Sequence, residues 1–219
     1  MTKRLLTLII GNTIASLGIS MIIKSGLGCF ALTAANLALA GWFNTTVGIT
    51  GMVLELIMIA IATYKGEGLG ITSIVNAVYG SLMIDAFNLI VPSHPLMFLG
   101  LFILPFGWAM MGKAAFGDTG SNLLMNVLMK KTGKNISLIR GIIEFIFLSI
   151  GLLGAREHVT FITLVLTFGL GPLLQIVYKW IRYNPVEIEH EYFIKGKENK
   201  ISSGGIHYEN EWHNGWSFG

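Results

Sequence analysis

The sequence predicts an all-α membrane protein with six transmembrane helices and two short re-entrant or interfacial helices, arranged as two inverted three-span repeats. Three observations predict it. Only 12% of the 219 residues are charged and 53% are hydrophobic, against about 25% charged in an ordinary soluble domain. The charges are also segregated: ten Lys/Arg and six Asp/Glu lie between Met1 and Tyr178, while the remaining 41 residues hold five and six. Finally, the same order of element lengths occurs twice. The mean hydropathy is +0.67. A disulfide scaffold is excluded by the single cysteine, Cys29. The isoelectric point near 9.0 comes from loop lysines beside apolar runs, not from a basic face for nucleic acid, so no nucleic-acid partner is expected.

A helix needs about 20 mostly apolar residues to cross roughly 30 Å of hydrocarbon. Leu5–Ile23 is the first such run, read as an uncleaved span because no small-residue cleavage site stands out. Thr46–Thr63, Ile71–Val91, Leu96–Ala115, Ile136–Leu153 and Thr160–Ile181 complete six. Phe30–Phe43 and Gly120–Met129 are apolar but too short to span, and each follows a glycine-containing turn. If both turn back, the basic residues divide ten to two in favour of the side holding the N-terminus; if both span, the division weakens to eight to four. Cytoplasmic loops collect Lys and Arg, so the expectation is a multi-pass protein with both termini in the cytoplasm.

An offset of 91 places Gly26 on Gly117, Thr72 on Thr163 and Gly80 on Gly171. The expected units are residues 1–92, residues 93–183 and a polar cytoplasmic tail, 184–219. Three crossings per unit invert the second copy. Inverted repeats with interrupted segments are a recurrent transporter design, with the site at the midplane. A duplicated membrane scaffold is the alternative.

Ionisable groups at bilayer depth cost about 2.5–3.5 kcal/mol on insertion scales and face a partner or water. Glu55 and Glu144 stand mid-span, 89 residues apart. Arg140, one turn before Glu144, is placed to pair with it. Glu55 has no basic residue within two turns on its own helix, so it must find a partner elsewhere, meet water or take up a proton. Asp85 lies nearer a helix end. Thr72, Asn76, Tyr79 and Gly80 share one helical face, and Thr163, Thr167 and Gly171 share another; helix–helix hydrogen bonding explains most of them. Asn36, Asn122 and Asn126 fall in the short segments, whose backbone must be satisfied by protein or water, and are candidates for lining a cavity. Gly11, Ala15 and Gly18 with Asn12 and Ser16 form a packing face, internal or between copies of the chain, so a homo-oligomer is left open.

No catalytic motif is present, and the chain is not expected to be an enzyme or to need a cofactor or metal. Gly66–Gly70 is glycine-rich but precedes an apolar span rather than sitting in a βαβ unit. No histidine lies in a span; His94 and His158 fall in external loops, and His207 and His213 fall in the tail without a ligand spacing. Cys29 reads as packing at a turn.

The same residues carry a resemblance. Lys3-Arg4 with Gly11 and Gly18, then Gly26-Leu27-Gly28, Gly70-Ile71-Thr72 with Asn76, Gly80 and Asp85, Gly117, Thr132-Gly133 with Ser137, Arg140 and Glu144, and Thr163 with Gly171-Pro172 resemble the YczE/YyaS/YitT type of bacterial integral membrane protein, from Lys3 to Trp180. Where that type has proline and aspartate after the first glycine turn, this chain has Cys29, Phe30 and Ala31, and Asn122 stands where a second aspartate is expected. The resemblance implies a bacterial inner-membrane location and brings no established substrate. The expected function is a small secondary carrier or exporter of an unidentified small molecule, with protons as the coupling ion and the bilayer as its surroundings.

Overall fold

The computed structural model describes residues 1–93 and 96–181, except the side chains of 136, 168, 170–175 and 181. Its regular elements are helices: α1 (Thr2–Lys24), α2 (Ala31–Phe43), α3 (Val47–Tyr64), α4 (Ile71–Val75), α5 (Ser81–Ile90), α6 (Met97–Ala114), α7 (Gly120–Thr132), α8 (Ile136–Gly154) and α9 (Phe161–Ile181). Among the described residues five helices are long and apolar enough to cross a membrane, counting Ile71–Ile90 as one. That segment is not a uniform α-helix: a π-helical turn, Asn76–Gly80, separates α4 from α5. The tail from 184 onward, with His207 and His213, and the loop residue His94 lie outside the described residues.

The centre of the bundle is the crossing of α1 and α6. A Cβ on Gly11 would lie 2.8 Å from the Gly107 carbonyl oxygen, and one on Gly100 would lie 2.7 Å from that of Gly18. Those pairs run in opposite order along the two helices, so α1 and α6 are antiparallel. Small residues are needed because the backbones touch. Leu8, Ala15, Ile22, Leu104 and Met111 fill the crossing with Phe116 beneath it. The glycine face of α1 is therefore internal.

The other flank of α1 is polar. Asn12 Nδ2 donates to Asn76 Oδ1 at 3.5 Å, Thr13 and Tyr79 share a hydrogen bond of 2.8 Å, and the Ser16 and Ser20 hydroxyls donate to the carbonyls of Gly80 and Ile84. Positions rise together, so α1 runs parallel to α4 and α5. This seam holds helices together, as small polar residues do at depth.

The short helices pack on the long helices of the opposite half. A Cβ on Gly151 would be 2.7 Å from Ala34 Cβ and one on Gly154 would be 2.7 Å from Ala38 Cβ, so α2 runs alongside α8 in the same direction. Likewise Gly120 of α7 meets Glu55 and Ile59 of α3, and Ala62 clusters with Leu123 and Val127.

Helix boundaries recur along the chain at a spacing that differs from the 91 of the side-chain matches. α2 and α7 both have 13 residues, and α2 begins at Ala31 where α7 begins at Gly120. Their C-caps, Asn44 and Gly133, are both left-handed; α3 and α8 start at Val47 and Ile136 behind the side-chain caps Thr46 and Asn135. The positive φ of Gly28 recurs at Gly117. Each pair is 89 apart, not 91. The 91 offset approaches the structure only in the last segment, where Gly70 and Thr160, just before α4 and α9, are 90 apart. Chain identities are too few to fix this register, whereas caps and turns are backbone features.

One end of the bundle is basic. Arg4 donates to the carbonyls of Ala114 and Ala115, and Lys130 bonds Glu67 at 2.6 Å, which gathers the start of α1, the end of α6, the 65–69 turn and the end of α7. The other end joins Leu27 to Thr160 and Cys29 to His158.

Candidate functional site

The site is built on one face of α3. At its first turn, Asp85 reaches over from α5 and accepts the Gly48 amide at 2.7 Å and the Thr46 hydroxyl at 2.5 Å. Thr46 in turn accepts the Ile49 amide. Asp85 is thus a carboxylate closing a helix N-terminus, where negative charge is stabilised. Gly48 is obligatory there, because a Cβ would collide with the Ser81 carbonyl and the Asp85 carboxylate. Asp85 is fully used by the fold.

One turn later Gly51 faces the Asn36 amide, 3.2 Å from the place a Cβ would take. The Asn36 carbonyl accepts from Thr50, but Asn36 Oδ1 is buried with no hydrogen-bond partner among the described residues. A turn further, on the same face, stands Glu55, which is 8% exposed.

Glu55 meets the start of α7. Its carboxylate lies against the backbone amides of Gly120 and Ser121, yet Oε2 is sealed from water and has no donor in hydrogen-bond geometry. A Cβ on Gly120 would collide with Oε2 and approach the Glu55 carbonyl at 2.8 Å. α7 does not cap itself: the Thr119 hydroxyl pairs with that of Ser121 at 3.2 Å, and its first turn contains no acid. The orphan amides of a helix start attract an anion, and Glu55 supplies one from another helix. Arg4 holds the break before α7, its Nε and Nη2 each 2.8 Å from the carbonyls of Ala114 and Ala115 and its guanidinium over Phe116. Ser73 and Thr72 bind the same turn through the carbonyls of Asp118 and Phe116.

Glu144 has the same rank in its helix as Glu55: each is ninth, in α8 and α3. Its surroundings differ. Arg140 Nε lies 3.9 Å from Glu144 Oε1, and the Glu144 side chain is 21% exposed. The start of α2 also lacks a side-chain cap.

The remaining candidates scatter. Asn126 is buried and Asn122 exposed on α7. Asn76 belongs to the α1 seam, whereas the Thr72 and Thr167 hydroxyls are buried without partners among the described residues. Sequence reasoning missed Gly120, whose role depends on α3 arriving beside it. It also missed Asn88, whose Oδ1 is a further buried orphan. No local signal pointed to Gly120: the N-cap position carries Thr119, and only the structure shows that its hydroxyl turns to Ser121 instead of capping the helix. Among the described residues no group of three or more His, Cys, Asp or Glu side chains could hold a metal.

No curated protein and no solved structure matches the chain. A family of unknown function matches from residue 2 to residue 179, all nine helices but for the last two residues of α9. The chain is a member of that family, DUF6198.

Proposed function

We infer that the protein is a small secondary transporter of the bacterial inner membrane, akin to the YczE/YyaS/YitT type and neither an enzyme nor dependent on a cofactor. In this reading residues 1–92 and 93–183 are inverted three-span repeats, with α2 and α7 re-entrant from opposite faces. The 89-residue offset supports it. So does the α1–α6 crossing: Gly11 and Gly18 stand 89 before Gly100 and Gly107, and the contact of Gly11 with Gly107 is the counterpart of that of Gly100 with Gly18. Ala34 on Gly151 likewise corresponds to Leu123 beside Ala62. The basic end would face the cytoplasm, together with both termini.

The observation that carries transport is Glu55 at the start of α7. α3 has 18 residues, about 27 Å at 1.5 Å each, so its ninth residue sits near mid-depth. A broken segment pointing its amide end at the midplane is how secondary carriers form binding sites. Glu55 and Glu144, with Arg140, Asn36 and Asn126 near them in sequence or space, are the proposed coupling residues. The test is pH-gradient-driven flux of small solutes into vesicles holding the purified protein. Flux in the wild type and its loss in Glu55→Gln supports the reading; flux retained in both Glu55→Gln and Glu144→Gln removes coupling.

The bonds of Asp85 to Gly48 and Thr46 favour the second reading, a non-transporting scaffold. An orphaned buried carboxylate oxygen has no use in it.

A further inference from the structure

We propose that the start of α7 is a binding site for a small monovalent anion, which Glu55 occupies as a tethered competitor until it takes up a proton and withdraws. The inference names a substrate class for the site above and rests on the transport reading.

Two independent features converge. The amides of Gly120 and Ser121 have no capping side chain from their own helix, and a helix start left open in this way binds anions. The group found there is a carboxylate that fits imperfectly, with Oε2 buried and lacking a donor. Gly120 lets that carboxylate approach the helix start so closely, since a single added carbon on it would collide with Oε2. A ligand taking the same place must therefore be about carboxylate-sized: a halide, nitrate, formate or acetate.

Charge balance gives the coupling. With Glu55 ionised, one negative charge faces the amides. A second anion beside it would add an unpaired charge at depth, which is costly. When a proton binds a Glu55 carboxylate oxygen, the O–H becomes a donor and the amides are released to the incoming anion. One proton and one monovalent anion thus enter together, and the net buried charge is unchanged. On the elements packed against α3, the other titratable or charged groups are Asp85 on α5, Tyr79 on the π turn, Asp118 before α7, and Lys130 and Lys131 in the last turn of α7. Asp85 is bonded to Gly48 and Thr46, Tyr79 to Thr13 and Lys130 to Glu67. α2 contributes none.

The test is thermal unfolding of the purified full chain in detergent, with sodium fluoride, chloride, nitrate, formate or acetate, and sodium gluconate as the bulky control. Ligands that bind the folded state raise its midpoint by an amount that grows with the logarithm of one plus the ratio of free ligand concentration to Kd. At least one small anion is expected to stabilise the wild type at about pH 5.5 and to bind roughly tenfold or more weakly at about pH 8, as proton competition requires. Glu55→Gln should bind it with about equal strength at both pH values. Glu55→Ala, which also vacates the carboxylate's space, should accept anions one carbon larger and provides the test if the glutamine variant does not fold. The proposal is overturned if no small anion stabilises these variants, if the wild type and Glu55→Gln show the same pH response, or if sodium in place of choline is what stabilises. Anion binding without flux in vesicles would sink transport alone. Flux of a neutral or cationic solute without anion binding would sink this inference alone.

Discussion

Glu55 Oε2 and the α-carbon of Gly120 stand so close that nothing larger than hydrogen fits on Gly120. Gly120→Ala should therefore destabilise the protein by about 1–3 kcal/mol, the usual range for overpacking. Thermal unfolding in detergent measures it. Combining it with Glu55→Ala should recover part of the loss, because the Glu55 backbone carbonyl still obstructs the new carbon. Fully additive losses would show that the side chain is not the obstacle.

The α1–α6 crossing predicts a sharper penalty. At Gly18 a Cβ would meet the Gly100 carbonyl at 3.0 Å, and at Gly11 it would meet backbone at 2.8 Å. Gly11→Val should cost about 3 kcal/mol or more, above the common overpacking range because main chain cannot step aside. Folded yield and monodispersity after extraction report the effect. An unperturbed valine variant would contradict the crossing.

Asp85 should matter for stability and not for flux. Asp85→Ala strands the Gly48 amide and removes a cap, at a cost of about 1–2 kcal/mol. Vesicle flux per folded molecule should stay at the wild-type level. Loss of flux without loss of stability would move Asp85 into the site.

Arg4 secures the break between α6 and α7 with two bonds to carbonyl oxygens. Arg4→Ala should cost about 1.5–3 kcal/mol, as for hydrogen bonds made by a charged group. Arg4→Lys should recover less than half, because an ammonium cannot present the planar fork. Thermal unfolding of the two variants distinguishes these outcomes.

Cys29 is 1% exposed and its thiol points to the His158 carbonyl at 3.7 Å. It should resist a membrane-impermeant maleimide until the protein is unfolded. Single cysteines placed at Lys65 or Lys134 in a Cys29→Ser background should label from the same side of the membrane, and one at Arg156 from the other. Labelling of all three from one side would defeat the six-span reading.

Run lengths and charge placement made the long helices legible, because crossing hydrocarbon constrains composition directly. Glu55 was also legible, by its isolation among apolar residues. Its partner was not: Gly120 is 65 positions away, and nothing local marks the meeting of α3 with α7. Asp85 looked like a weak site residue because its cap acts on a helix that precedes it in the chain. The π turn at Asn76–Gly80 interrupts a run whose composition suits an ordinary helix. Helix boundaries recur 89 apart where side-chain matches suggest 91, because such matches are sparse, while caps become visible only once φ and ψ are known.

Gly11 rests on Gly107 as Gly100 rests on Gly18, so a tilt about that crossing is felt alike by both helices. Two opposite tilts of the proposed halves would then turn on the same backbone contact, like a balance on one pivot. What tells the arms apart is chemical: a carboxylate without a cation on one, and a carboxylate beside Arg140 on the other. A proton taken up by Glu55 would then weigh on one arm alone.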